Sequence, residues 1–308
     1  MTRSAGFSAR FRLPLPISGP LHGGGALARS VFGLLNQFVP IPSSDWEESR
    51  MGKLDGKVVI VTGGGGGVAR GMTIALAKEG ADLSIVELRA DRGDEAAREV
   101  EKQGGRVVSI ACDVSRRDQV DAAVAETLDH LGRVDVLVNN ATGVSLATSN
   151  LAFMDHGEAD FDHILGVDLM GSFHFMQACF PHFKNQGGGK VINFSSGAGT
   201  ERLAGYVAYA SAKEAVRALT GVAAREWGRW GINVNAVCPA AMTVGMKSFV
   251  ENHPDPDFEK KAYGDRPIAR LGDPEQDIGR VVAFLASAES DYLTGQTFWV
   301  DGGGSIHA

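Results

Sequence analysis

The sequence predicts an α/β fold: a doubly wound, seven-stranded parallel sheet with helices on both faces. Three observations carry this. Short β-branched runs alternate with longer stretches of helical periodicity along the 308-residue chain. Five consecutive glycines, Gly63 to Gly67, separate the first such strand from the first helix. The second strand then ends on a carboxylate, Glu87, twenty residues beyond Gly67.

Lys57-Val58-Val59-Ile60-Val61 reads as a buried strand, because β-branched side chains fit a pleated, covered surface. After the glycines, Ile74, Ala75, Leu76 and Ala77 fit a helix that Gly80 ends. Glycine loses the most backbone freedom on folding, so a run of five marks a place where no side chain is admitted. A strand, a glycine turn and a helix N-terminus make an anion site, with unpaired N–H groups and the positive end of the helix dipole facing the ligand. Phosphate is its usual occupant.

Strands are expected at 57–62, 82–87, 106–111, 134–139, 189–195, 232–237 and 296–300. Helices are expected over 67–79, 91–103, 117–131, 158–183, 207–227 and 274–287. Strands separated by helices imply right-handed crossovers and a parallel sheet covered on both sides. Two such halves make a dinucleotide fold, with the ligand across the carboxyl ends of the strands. No internal boundary is visible after residue 51, so 51–308 is expected to be a single domain.

Residues 1–50 differ in kind. Up to Ser44 they contain Arg3, Arg10, Arg12 and Arg29 and no acid. Leu27, Val31, Leu34, Leu35 and Phe38 recur at helical spacing before Pro40 and Pro42 stop the pattern. The segment fits an Arg-rich targeting peptide, an amphipathic arm, or an upstream extension of the reading frame. The last is preferred, because Met51-Gly-Lys-Leu-Asp leads straight into the first strand.

The formal charge of −7 and the lack of a basic stripe give no support for nucleic-acid binding. Cys112, Cys179 and Cys238 form no CxxC pair and read as buried thiols of a reducing, cytoplasmic compartment. The eight histidines show no ligand spacing, so no metal is expected. No apolar run reaches the length of a membrane span.

Glu87, at the tip of the second strand, can accept hydrogen bonds from ribose hydroxyls and would repel a 2′-phosphate, which argues for NAD over NADP. Arg89, two residues on, softens that discrimination. Asp113, ending the third strand, is placed to meet an adenine amino group, and Asn139-Asn140-Ala141 closes the fourth beside the cofactor. Tyr209 and Lys213 stand four apart in a helical stretch, so phenol and ammonium share a face. A free tyrosine, with a pKa of about 10, is a poor base near neutrality, and a neighbouring ammonium favours the phenolate. Ser196, thirteen residues before Tyr209, follows a strand end where its hydroxyl can hold a substrate oxygen.

Thr62-Gly63-xxx-Gly67, Asp113, Asn139-Asn140-Ala141, Ser196, Tyr209 and Lys213, in this order and spacing, resemble the short-chain dehydrogenase/reductase family. Arg270-Leu-Gly-Asp-Pro, Tyr292-Leu-Thr-Gly-Gln and Val300-Asp301-Gly302-Gly303 extend the resemblance over residues 52–308. It implies a Rossmann fold, NAD(P)-linked exchange between a secondary alcohol and a ketone, and a homo-oligomer, usually a tetramer. Tyr209 would be the acid/base. Lys213 would lower its pKa and bind the nicotinamide ribose, and Ser196 would orient the carbonyl. Besides Tyr209 and Lys213, the cofactor would lie on Gly63, Gly66, Gly67 and Val68, on Glu87, Asp113 and Val114, and on Asn140, Ala141, Pro239 and Thr243.

Four departures from the family pattern stand out. Ala69 replaces the third glycine of the phosphate turn, and Thr142 stands where a glycine closes the Asn-Asn-Ala element. Ala240 replaces a glycine, and Thr243 arrives one residue early for its usual contact with the nicotinamide amide. Asp168, a catalytic candidate, occupies the place of the family's catalytic asparagine. An ionised aspartate only accepts hydrogen bonds. It should attract Lys213, weaken the hold of Lys213 on Tyr209 and make the rate rise toward alkaline pH.

Val144, Ser145 and Leu146, with Met242, Val244, Met246, Phe249, Val250, Phe258 and Tyr263, are expected to wall the substrate site. Their apolar content suggests a bulky hydrophobic alcohol or ketone, or simply the packing of a lid. Phe161, Leu165, Phe173, Phe175 and Phe180 exceed what one helix face needs, which suggests pairing between subunits. Two other functions compete: an NADPH-linked 3-oxoacyl reductase, and a dinucleotide-binding sensor or scaffold without catalysis.

Overall fold

The computed structural model describes residues 52–145, 148–252 and 266–306, with isolated positions between 252 and 266. The expectations for residues 1–50 and for Met51 as the start lie outside the described residues. So do Leu146, Phe258, Tyr263 and the side chain of Phe249.

Seven strands form one parallel sheet: β1 (Val58–Thr62), β2 (Asp82–Glu87), β3 (Val107–Ala111), β4 (Val136–Asn139), β5 (Gly189–Phe194), β6 (Ile232–Pro239) and β7 (Thr297–Val300). Their order, β3-β2-β1-β4-β5-β6-β7, reverses direction between β1 and β4. That reversal opens a crevice beyond the carboxyl ends of the strands. Every residue of β1 is buried. Val59 and Val61 enter one core cluster and Ile60 the other, so each face of the sheet carries its own core.

The helices cover both faces. They are α1 (Gly67–Lys78), α2 (Ala90–Glu101), α3 (Arg117–Leu131), α4 (Glu158–Ile164), α5 (Gly171–Asn185), α6 (Gly197–Thr200), α7 (Val207–Trp227), α8 (Val244–Glu251) and α9 (Arg280–Ala286). Gly80, with φ +88°, follows the end of α1 in the expected left-handed conformation. Two expected helices contain a wider turn. A π-helical turn, Leu165–Met170, joins α4 to α5, and another, Pro274–Gly279, precedes α9. Apolar spacing alone does not separate these turns from an α-helix, since a single wider turn is too short to show a period of its own.

One expectation changes. Asn139 points into the core, not toward the crevice: its amide donates to Asn193 Oδ1 at 2.8 Å, and Asn193 donates to Thr220 Oγ1 at 2.9 Å. This chain of amides buckles β4, β5 and α7 together. The aromatic excess read as subunit pairing is mostly used inside the chain. Phe175 is fully buried, Phe180 packs on Trp227 and Trp230 at 4.8 and 5.2 Å, and Phe161 and Leu165 pack beside Tyr209.

Phe175→Ala should therefore lower the unfolding free energy by about 3–5 kcal/mol, the usual cost of an aromatic cavity. Urea denaturation checks this, and a loss under about 1 kcal/mol would mean the site collapses or is not core.

Candidate active site

Gly66 caps α1 without any side-chain hydrogen bond, so the first N–H groups of that helix have no side-chain cap. Gly63 takes φ +63°, and a Cβ there would stand 3.0 Å from the Cα of Ala141. The turn is therefore both left-handed and pressed against the loop after β4, which only glycine permits. Asn140 ties the two together. Its amide donates to the carbonyls of Thr62 and Gly63 at 3.1 and 3.3 Å, while Thr62 Oγ1 accepts from the N–H groups of Asn140 and Ala141. Asn140 and Ala141 thus brace the turn. Ala69 is fully buried within the core, so its methyl is accommodated.

Glu87 stands at the tip of β2, and its Oε2 accepts from the Gly65 N–H at 3.1 Å. Asp113 Oδ1 accepts from the N–H and hydroxyl of Ser115 at 2.9 and 2.6 Å. Val114 is buried, against the start of α5. Gly67 and Val68 open α1, and Pro239 ends β6. The hydroxyl of Thr243 caps α8 by accepting from Met246 N–H at 3.1 Å, a use that its early position in the loop explains. An uncapped helix N-terminus, a left-handed glycine turn and a carboxylate at the tip of β2 fit a dinucleotide.

The chemical end lies beyond β5 and along α7. Ser196 accepts from the Ala198 N–H at 3.1 Å, which starts α6, and its hydroxyl acts on the Tyr209 phenol to favour the phenolate. One turn further along α7, Lys213 Nζ lies 5.5 Å from the Tyr209 ring centre. That ammonium is only 3% exposed as a residue, and it donates to the carbonyl of Phe194 at 2.9 Å. Ser195 Oγ donates to the carbonyl of Lys213 at 2.9 Å and locks α7 to the end of β5.

Asp168 completes the group from the π-helical turn. It is 1% exposed, and its Oδ1 lies 2.9 Å from Lys213 Nζ. The same oxygen accepts from the Thr142 hydroxyl at 2.9 Å, and Oδ2 accepts from the Gly143 N–H at 2.7 Å. Its carbonyl accepts from the Ser172 hydroxyl at 2.7 Å. Two departures noted in the sequence, Thr142 and Asp168, therefore touch. Reasoning from sequence did not find Thr142 as a partner of Asp168, nor the Phe194 carbonyl and Gly143 N–H, because main-chain groups and contacts between distant segments leave no spacing signal.

Charge and burial compete at this centre. Burial presses the Lys213 ammonium down, but Asp168 and Tyr209 outweigh it and hold its pKa above the ordinary lysine value. Burial raises the Tyr209 phenol; Lys213 and the Ser196 hydroxyl pull it down, and Asp168 pushes it up again. The balance lies above the ordinary phenol value, against the expectation that Lys213 brings it lower. The charged and titratable groups acting on Tyr209 are Lys213 on its own helix, Asp168 on the π-helical turn and Cys238 on β6. Burial pushes Cys238 to about 11 and Cys112 to about 12, so both are neutral thiols at ordinary pH.

Tyr209 and Lys213 do not line the cleft of about 1010 Å³ beside α7, whose walls include Phe153, Leu203, Glu214 and Trp299. No helix among the described residues is long and apolar enough to cross a membrane.

Residues 64–305 match the family described as enoyl-(acyl carrier protein) reductase. The 12alpha-hydroxysteroid dehydrogenase of a Clostridium species is 40% identical over 82% of this chain and 98% of its own length. The 3-oxoacyl-acyl-carrier-protein reductase FabG of Thermotoga maritima is 34% identical over 82% of this chain and 98% of its own. A structure of 7 alpha-hydroxysteroid dehydrogenase complexed with NADH and 7-oxo glycochenodeoxycholic acid is similar with a TM-score of 0.75 and 32% identity, covering 82% of this chain and 96% of that one. The chain belongs to the short-chain dehydrogenase/reductase family of NAD(P)-dependent oxidoreductases.

With Tyr209 as the base that we propose below, a raised phenol pKa places the rate increase of alcohol oxidation at alkaline pH. Asp168→Asn removes a charge that raises Tyr209 and should move this limb to lower pH. Initial rates of alcohol oxidation measured from pH 6 to 11 check both points. A wild-type plateau extending down to pH 6, or an unmoved limb in the variant, contradicts them.

Proposed function

We propose that this chain oxidises a bulky hydrophobic secondary alcohol with NAD, or reduces the matching ketone, at residues Ser196, Tyr209 and Lys213. The observation that carries the reading is their convergence on Tyr209: the Ser196 hydroxyl favours its phenolate, and the buried ammonium of Lys213 lies 5.5 Å from the same ring. Such a trio has no structural use on a helix face that a leucine would fill more cheaply. It argues against a sensor or scaffold.

When bound, the cofactor would accept the hydride as NAD+ during oxidation and supply it as NADH during reduction. Ser196, whose hydroxyl oxygen is already anchored by Ala198 N–H, directs its own proton to the substrate oxygen. Tyr209 takes the hydroxyl proton during oxidation and returns one to the carbonyl during reduction. Lys213 has two of its three donors fixed by Phe194 and Asp168, which leaves the third for the nicotinamide ribose. The pyrophosphate would lie on Gly63, Gly66, Gly67 and Val68, and the adenosine against Glu87, Asp113 and Val114. Asn140 and Ala141 would brace the turn, with Pro239 and Thr243 near the nicotinamide.

Glu87 supports NAD over NADP, and Arg89 does not offset it, because its guanidinium pairs with Asp91 at 2.7 Å. Arg92 favours the second reading, an NADPH-linked 3-oxoacyl reductase. Its Nη1 lies 3.8 Å from where a Cβ on Gly66 would stand, a place from which a guanidinium could meet a phosphate. The kinship with hydroxysteroid dehydrogenases and the apolar Met242, Val244, Met246 and Val250 support a steroid-like or other alicyclic substrate. We also take 51–308 as the catalytic domain of a cytoplasmic homo-oligomer, in keeping with the family resemblance and the three buried thiols.

A panel of steroidal and alicyclic secondary alcohols, followed by NADH absorbance, tests the reading. Tyr209→Phe should lose about a hundredfold or more in turnover while still binding NADH, the usual scale for a general acid/base. Retained turnover in that variant sinks the assignment. Glu87→Ser should raise kcat/KM with NADP relative to NAD, and an unchanged ratio removes Glu87 as the selector.

A further inference from the structure

We propose that Thr142 is a positioning residue that, together with the Gly143 N–H, holds Asp168 as the carboxylate counter-ion of Lys213, so that residues 142 and 168 act as one matched pair. The kinetic part of this inference rests on the dehydrogenase reading above; the pairing itself does not.

The argument is a count of donors. Three groups reach the Asp168 carboxylate, and each presents a proton: Thr142 Oγ1 and Lys213 Nζ to Oδ1, and Gly143 N–H to Oδ2. The Thr142 hydroxyl also accepts from the Val144 N–H at 3.3 Å, which turns its own proton toward Asp168. A carboxylate satisfies all three, because it only accepts. An asparagine does not. With its oxygen toward Lys213 and Thr142, its NH₂ would face the Gly143 N–H across a 2.7 Å contact. With its oxygen toward Gly143, its NH₂ would face an ammonium buried to 3% exposure. Either orientation sets a donor against a donor where water does not easily enter.

The family's asparagine would therefore be the wrong residue in this chain. The cradle has been rebuilt around a charge: Thr142 supplies a hydroxyl where the family pattern has a glycine, and the aspartate answers it. Lys213 is the charged group that faces Asp168, and its ammonium gains a fixed anion in exchange for an amide.

A double-mutant cycle of Thr142→Val, Asp168→Asn and both together tests the pairing, with Thr142→Ser as the control that keeps the hydroxyl. Thermal midpoints and NADH-fluorescence titrations need no substrate; kcat and its pH profile are added on the best alcohol found. Each single variant should lower the midpoint and reduce the plateau kcat, read above its own alkaline limb, by about tenfold, the scale of a hydrogen bond to a charged group. The double variant should be no worse than the poorer single, since the first change already removes what the second would. Thr142→Ser should match wild type. Thr142→Val keeps the charge but removes one of its donors, so it should move the alkaline limb slightly to higher pH, opposite to Asp168→Asn, a shift that loss of packing alone would not produce.

Effects that multiply in the double variant overturn the pairing, as does an Asp168→Asn protein that is more stable and faster than wild type. A Thr142→Ser protein as impaired as Thr142→Val assigns the role to the methyl group and also overturns it. If Asp168→Asn does not fold, the Val–Ser contrast at residue 142 decides alone. Coupled midpoints in a protein that oxidises no alcohol would retain the pairing and reject the dehydrogenase reading.

Discussion

The ion pair between Lys213 and Asp168 is the interaction on which the rest of the site depends. An ammonium this deeply buried cannot stay charged by itself, because desolvation costs several kcal/mol per ion. The Phe194 carbonyl and the Asp168 carboxylate offset that cost, and Thr142 and Gly143 offset the matching cost for Asp168. Three chain segments besides α7 are thereby committed to one lysine. Remove any of them and a buried charge or donor is left without its partner, the arrangement that destabilises most.

The fold brings these segments together through two simple devices. A parallel sheet with both faces covered ends all its strands on one side, so the loops after β1, β4, β5 and β6 meet there. A helix crossing that side presents residues four apart on one face, which sets Tyr209 and Lys213 beside each other over the end of β5. The π-helical turn is the third element. It lies between α4 and α5 and turns a carboxylate inward among residues otherwise packed apolar. Wider turns of this kind often occur at functional sites, where one extra residue changes which side chain points in.

Much of this was legible in the sequence, for physical reasons. Strands buried on both faces read as unbroken β-branched runs, so β1, β2 and β5 were visible within a residue or so at each end. Ser196, Tyr209 and Lys213 were visible because their spacing follows from strand and helix geometry. The Asp168–Lys213 attraction followed from charge alone. Other features were hidden. Asn139 and Asn140 look equivalent in sequence, yet strand alternation sends one into the core and the other to the glycine turn. Thr142 lies twenty-six residues from Asp168, and no periodicity links them. Thr243 looked like a misplaced ligand contact, and its hydroxyl is a helix cap. Burial, which the sequence does not report, outweighs the nearby ammonium and sets the direction of the Tyr209 shift.

The Nζ of Lys213 offers the most direct measurement. Its protonation can be followed by nitrogen NMR of the lysine-labelled, ligand-free protein across the alkaline range, with Lys213→Met for assignment. If the carboxylate of Asp168 governs this site, the ammonium persists above the range where ordinary lysines titrate, near about 10.4. A Lys213 that loses its proton below that range, as burial without a counter-ion would dictate, contradicts the central claim.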